Sequence, residues 1–211
     1  MRIALVTTSW PGADGDPAGH FVRAEARELE RQGHDVVVVA PKAGGAFGWP
    51  GVAARVRQRP ARLLEAARWV AAARQRVRWV RVDRVIAHWA VPCAWPIGSA
   101  AGEAELEVVS HGGDVRLVAA MPGIARMHVV RTIAERAVAW RFVSEALLEA
   151  LVRTLDRDTR ARLKRIAVVR AATVEMPDVA GAVARKRREL AGARIAVSVG
   201  RLVASKRVER A

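Results

Sequence analysis

Two short apolar runs flanking one helical stretch fix most of what this chain can become. Arg2–Thr8 and Asp35–Ala40, the latter containing Val36-Val37-Val38-Val39, have the length and β-branched content of strands buried on both faces. Between them Val22, Ala26 and Leu29 fall at i, i+4 and i+7, an apolar stripe on a helix that ends at Gly33. Strand, helix and strand within some forty residues form a βαβ unit, which requires parallel pairing and a right-handed crossover.

The alternation continues. Arg55–Arg81 reads as a helix with Leu63, Ala67 and Val70 on its apolar side, and Val82–Ala87 as a strand leading into His88-Trp89-Ala90-Val91-Pro92. Glu107–Ser110 is a strand running into His111-Gly112-Gly113-Asp114. Met127–Ala137 is a helix, Val138–Val143 a strand, Glu145–Leu155 a helix and Ile166–Val169 a strand. This order predicts an α/β protein with a Rossmann-like, doubly wound parallel sheet. A basic helix over Ala182–Ala191 precedes a fresh strand, Arg194–Val199, which predicts one domain over 1–190 and the start of a second over 191–211.

Composition narrows the function classes. Among 211 residues, 36 Lys and Arg face 21 Asp and Glu, a net charge of +15 that favours anionic partners. The bases are 32 arginines and 4 lysines, with no Tyr and no Asn, the bias expected of a GC-rich genome. A single cysteine, Cys93, excludes an internal disulfide and a cysteine zinc cluster and fits a reducing compartment. The stretch Val85–Gly102 lacks charge but contains Pro92, Pro96 and Gly98, so it reads as strand, loop and helix start rather than a membrane span. These features predict a cytoplasmic location, at most peripheral at the inner face of the membrane. For that contact the helix Arg55–Arg81, with Trp69 and Trp79 among arginines, could meet anionic lipid heads, while the competing and favoured reading is a solvated surface helix of an arginine-rich protein.

Candidate site residues gather where strands end. The turn-rich loop Trp10–Gly19 follows the first strand, and Gly19 would let backbone approach a substrate at a helix N-terminus. His20 there would donate to an anion or sit on the surface. His111, between a strand and two glycines, has the placement of a ligand-contacting ring; Asp114 reads as an N-cap. His88 and Trp89 suit sugar stacking and hydroxyl binding as well as they suit a core edge. Ser144 and Glu145 open a helix, with a Ser N-cap as the competing reading. Asp14-Gly15-Asp16 and Asp156-Arg157-Asp158 have the spacing of a metal-binding pair but sit in turn and helix-end chemistry, so neither a metal nor a cofactor is predicted.

Five stretches resemble the N-terminal half of a family 4 glycosyltransferase. They are Gly19-His20-Phe21-Val22 with Glu25, Leu29 and Gly33-His34; Ala87-His88-Trp89 with Pro92; Ser110-His111-Gly112-Gly113-Asp114; Phe142-Val143-Ser144-Glu145; and Val199-Gly200-Arg201-Leu202 with Lys206. The resemblance implies a GT-B fold of two Rossmann-like halves. It also implies transfer of a hexose, with retention, from a nucleotide-sugar donor to a lipid-linked or glycan acceptor. His111 would be the catalytic residue, Gly19, His20, His88, Trp89, Gly112, Ser144 and Glu145 substrate-binding, and Arg201 and Lys206 would hold the donor diphosphate. The remainder of the donor-binding half is expected to lie outside these 211 residues, leaving this chain inactive alone. The rival class is a non-enzymatic basic α/β module for anionic membranes or nucleic acid. No nucleic-acid motif is present, and nucleic acid is not the expected partner.

Overall fold

A computed structural model describes residues 1–12, 16, 18–47, 51–171 and 180–191. Residues Met1–Glu175 form one compact unit and Met176–Ala211 a second. In the second, α8 (Ala180–Glu189) is described, with Lys186 bonded to Glu189 at 2.7 Å. Arg201 and Lys206, like the strand predicted over Arg194–Val199, lie outside the described residues.

The first unit is built in chain order from β1 (Arg2–Val6), α1 (His20–Arg31), β2 (Asp35–Val39), α2 (Val52–Gln58), α3 (Arg62–Trp79), β3 (Arg84–His88) and β4 (Glu105–Ser110). There follow α4 (Gly113–Ala120), α5 (Gly123–Arg136), β5 (Ala137–Phe142), α6 (Glu145–Val152), α7 (Arg157–Ile166) and β6 (Ala167–Val169). The six strands form one all-parallel sheet in the order β2-β1-β3-β4-β5-β6. The chain steps from β1 to β2 in one direction and then returns past β1 to β3. Right-handed crossovers therefore put α1 on one face and the later helices on the other. The α1 face is lined by Ile3, Leu5, Ile86 and Val109 under Val22, Ala26 and Leu29. The opposite face carries the larger core, with Trp140, Phe142, Leu106 and Ile133 among its buried side chains.

Helix α1 ends as its sequence requires. Gly33 takes φ 82°, its N–H bonds the Glu30 carbonyl at 2.9 Å, and the His34 N–H reaches Leu29 at 3.1 Å. That pairing is a Schellman termination, which needs a left-handed residue and so favours glycine.

Two expectations about the arginine-rich region are corrected. It is two helices, not one: Arg59 is extended ahead of Pro60, whose ring is incompatible with a continuing helix. The buried side of α3 is Ala66, Ala73 and Val77, while Leu63 and Leu64 are exposed. Both stripes have helical period. The small side chains face inward, letting α3 lie closely on the segment Ala90–Ile97. Trp69 also turns in, edge-on to Phe47 at 4.9 Å, so Trp79 alone of the pair projects outward.

Candidate functional site

The strand order reverses at β1, so the chain leaves the carboxyl ends of β1 and β3 in opposite directions. In doubly wound sheets that divergence opens the crevice in which ligands bind. His88 closes β3, His111 follows β4, and α1 begins beside them after the loop from β1. Gly19, His111 and Ser144 all follow the carboxyl ends of parallel strands and so belong to one edge of the sheet.

The centre of the site is a pair of histidines. His88 is completely buried. Its Nδ1 lies 3.0 Å from Nε2 of His111, and the rings stack 9° from parallel at 5.2 Å. His111 is partly exposed, with Phe21 at 4.5 Å and Trp89 at 5.1 Å between ring centroids. Burial holds both imidazoles neutral. It pushes His88 well below its ordinary value, reinforced by His111 and Arg141, and lowers His111 to about 4, with Asp114 opposing and Arg141 assisting. His111 therefore offers hydrogen bonding at neutral pH, not charge.

Asp114 holds the loop that carries His111. Its Oδ2 accepts from Ser110 Oγ at 2.6 Å and from the Ala90 N–H at 2.8 Å. Its Oδ1 accepts from the N–H groups of His111 and Gly112, both at 3.1 Å. Ser110 in turn accepts from Trp140 Nε1 at 2.9 Å. With four donors on a carboxylate 2 % exposed, Asp114 has no capacity left for a proton-transfer role. The expectation that Asp114 is an N-cap is corrected: Gly112 holds the N-cap position of α4, Asp114 lies in its first turn, and its donors all precede the helix, at Ser110, His111 and Gly112 and at Ala90.

Trp89 is the one described non-glycine residue with positive φ, at 79°. It is held there by its N–H on the Val109 carbonyl at 2.8 Å and its own carbonyl under the Ala94 N–H at 3.1 Å. Such a conformation costs on the order of 1–3 kcal/mol and persists only where surroundings enforce it, characteristically at functional sites.

Beneath the histidines runs a charged cluster that the sequence did not announce. Arg141, 6 % exposed on β5, pairs with Glu25 of α1 and approaches Glu107 Oε1 with its Nε at 2.6 Å. Arg84 lies 3.8 Å from the other Glu107 oxygen. Arg84 is bonded more closely to Glu105, at 2.6 Å, so three acids face two arginines in this cluster.

Several predicted site residues take different roles. His88 is fully buried beneath His111, so its ring is not exposed to bind hydroxyls itself and instead braces that of His111. Gly19, with φ 73°, is needed by the chain itself: a Cβ there would stand 2.2 Å from the Ser9 carbonyl oxygen, a close approach of the preceding loop. Gly112 has φ 106° and faces Leu147 of α6, whose Cδ2 would lie 3.2 Å from an added Cβ. His20 opens α1 on the surface, edge-on to Phe21 at 5.5 Å. Ser144 occupies the N-cap of α6 without a side-chain capping bond, and Glu145 is exposed in the first turn. The site residues that were not singled out are Phe21, Arg141 and Glu107. An arginine inside a strand was the available signal, since a central strand buries it only with partners.

A concavity of about 200 Å³ opens at the same edge between the loops after β1 and β2, bounded by Ser9, Trp10, Lys42, Phe47 and Arg55. Arg55 is committed to the carbonyls of Gly45 and Phe47. Cys93 is buried, and desolvation raises its thiol well above the ordinary value, which leaves it unreactive. Among the described residues no helix is long and apolar enough to cross a membrane. No family model matches the chain, and no curated protein is significantly similar to it.

Proposed function

We propose that this chain is the N-terminal half of a retaining glycosyltransferase of the family 4 type, acting on a nucleotide-sugar donor and a lipid-linked or glycan hydroxyl. The observation that carries the reading is the pair His88 and His111, set beside Phe21 and Trp89 at the carboxyl edge where strand order reverses. A partly exposed neutral imidazole next to aromatic faces suits a sugar, which presents hydroxyls at its rim and C–H groups on its faces.

In the transfer, the anomeric C–O bond to the diphosphate breaks and a new C–O bond to the acceptor oxygen forms on the same face. The acceptor proton leaves with the nucleoside diphosphate. His111 hydrogen-bonds the sugar in this scheme. Being neutral, it leaves the developing diphosphate charge to fixed cations, for which the resemblance points to Arg201 and Lys206.

Saturation-transfer NMR with methyl hexosides and nucleotide hexoses tests the reading. Saturation of sugar ring protons is expected in the native protein and its loss in His111→Ala and Trp89→Ala. No saturation from any member of the panel, or saturation undiminished in both variants, would overturn the assignment. Binding of anionic vesicles without sugar binding would favour the non-enzymatic module.

A further inference from the structure

We propose that Glu25 is a positioning residue. Acting through His88, it makes Nδ1 of His111 a hydrogen-bond acceptor, so that the ligand group met there is a donor such as a sugar hydroxyl.

A neutral imidazole has one N–H and one lone pair. Between His88 Nδ1 and His111 Nε2, 3.0 Å apart, there is room for one proton. If His88 supplies it, His88 Nε2 is bare and His111 carries its proton on Nδ1. If His111 supplies it, the reverse holds at both outer nitrogens. The two arrangements present opposite chemistry to a ligand.

The far side of His88 decides between them. Its Nε2 is fully buried and makes no hydrogen bond among the described residues. The nearest charged atom recorded beside it is Oε2 of Glu25, at 3.6 Å; the Arg141 guanidinium also acts on His88, but it is paired with both Glu25 and Glu107. The Glu25 separation is too long for a hydrogen bond but short for a carboxylate facing a fully buried ring. A nitrogen lone pair there would be repelled by the carboxylate, whereas an N–H is attracted. Glu25 is held in this position because its other oxygen is taken by Arg141. Arg141 is balanced in turn by Glu107, and Asp114 is saturated by its four donors. His88 thus carries its proton on Nε2 and accepts at Nδ1, and His111 donates from Nε2. The remaining nitrogen, Nδ1 of the partly exposed His111, has no hydrogen bond among the described residues and points its lone pair outward from the pair. The naming of a sugar hydroxyl rests on the glycosyltransferase reading; the tautomers do not.

Long-range proton–nitrogen correlation spectra of histidine-labelled protein at pH 7 read the tautomers directly, with His111→Asn assigning the resonances. Both His88 and His111 are expected to be protonated at Nε2. Protonation of either at Nδ1 would overturn the inference. Glu25→Gln, with its amide oxygen kept on Arg141, presents an NH₂ donor to His88 and is expected to reverse both rings. A folded Glu25→Gln protein with unchanged tautomers would show that Glu25 does not set them. If that variant does not fold, Glu25→Asp decides: it retains the charge and must retain both tautomers, and a reversal would overturn the inference. Titration with methyl hexosides is a separate readout. Failure of these sugars to bind while the tautomers hold would remove the glycosyltransferase reading and leave the positioning role of Glu25 standing.

Discussion

His88 and His111, 23 residues apart in the chain, share a 3.0 Å contact between ring nitrogens with their planes 9° from parallel. Neighbouring parallel strands make that possible: His88 pairs with Val109 across β3 and β4, and His111 lies two residues further on, just past the end of β4 and on the same side of the chain as Val109. Position and burial then keep both rings uncharged.

That burial makes stability depend on pH. His111 titrates at about 4 in the folded protein and at 6.5 when unperturbed. Between these values the unfolded chain binds more protons, so stability rises with pH across the window and is lost as pH falls through it. Linkage puts the His111 contribution at up to ~3 kcal/mol by pH 4, and His88 shifts in the same direction. Urea midpoints at pH 7 and pH 4.5 should fall further apart in the native protein than in His111→Asn. An equal fall in both would refute the assignment.

Asp114→Ala removes the acceptor of four buried or half-buried donors at once. Destabilisation of roughly 3 kcal/mol or more is expected, since each stranded donor costs about 1–3 kcal/mol. Denaturant unfolding measures it. A loss under about 1 kcal/mol would mean that the loop finds other acceptors.

Two glycines with similar backbone angles should respond differently to alanine. Gly33, at φ 82° with no atom within 4 Å of an added Cβ, should lose only the left-handed penalty of about 1 kcal/mol. Gly19, at φ 73° against the Ser9 carbonyl, should lose at least ~2–3 kcal/mol because backbone must move. Thermal melts of the two variants side by side settle the comparison, and equal losses would contradict it.

Membrane contact, if the basic surface serves it, should use the exposed side of α3. Trp79 is 73 % exposed beneath the Arg78 guanidinium, with Leu63 and Leu64 also exposed on the same helix. Sedimentation with anionic vesicles is expected to be strong at low salt, to fade at high salt and to weaken in Trp79→Ala, with neutral vesicles unbound. Binding to neutral vesicles alike, or to neither, would assign the arginines to genomic composition.

What the sequence made legible follows range of interaction. The strands announced themselves because four successive valines at Val36–Val39, or Val85-Ile86-Ala87, have few other uses than a doubly covered sheet. Helix α1 and its glycine stop were legible for the same local reason. Helix α7 was overlooked because Asp156-Arg157-Asp158 read as the end of a helix. Asp156 instead begins one, its carboxylate accepting from the Thr159 N–H at 2.8 Å. In the site, His111 was legible from its glycine-flanked position after a strand. The burial of His88 and the pairing of Arg141 with Glu25 were not, because each depends on which strands become neighbours.

The contact between Glu25 and Arg141 closes a loop of 116 residues, across most of the first unit. Its formation must await the docking of α1, β4 and β5 on one another, and loop-closure entropy opposes it until then. The βαβ unit at the start of the chain brings its own ends together over a far shorter span. The early sheet is therefore expected to form before the floor under the histidines, and substitutions at Glu25 or Arg141 should act mainly on the unfolding rate. On this ordering the histidine site would be the last part of the unit to form and the first to come apart.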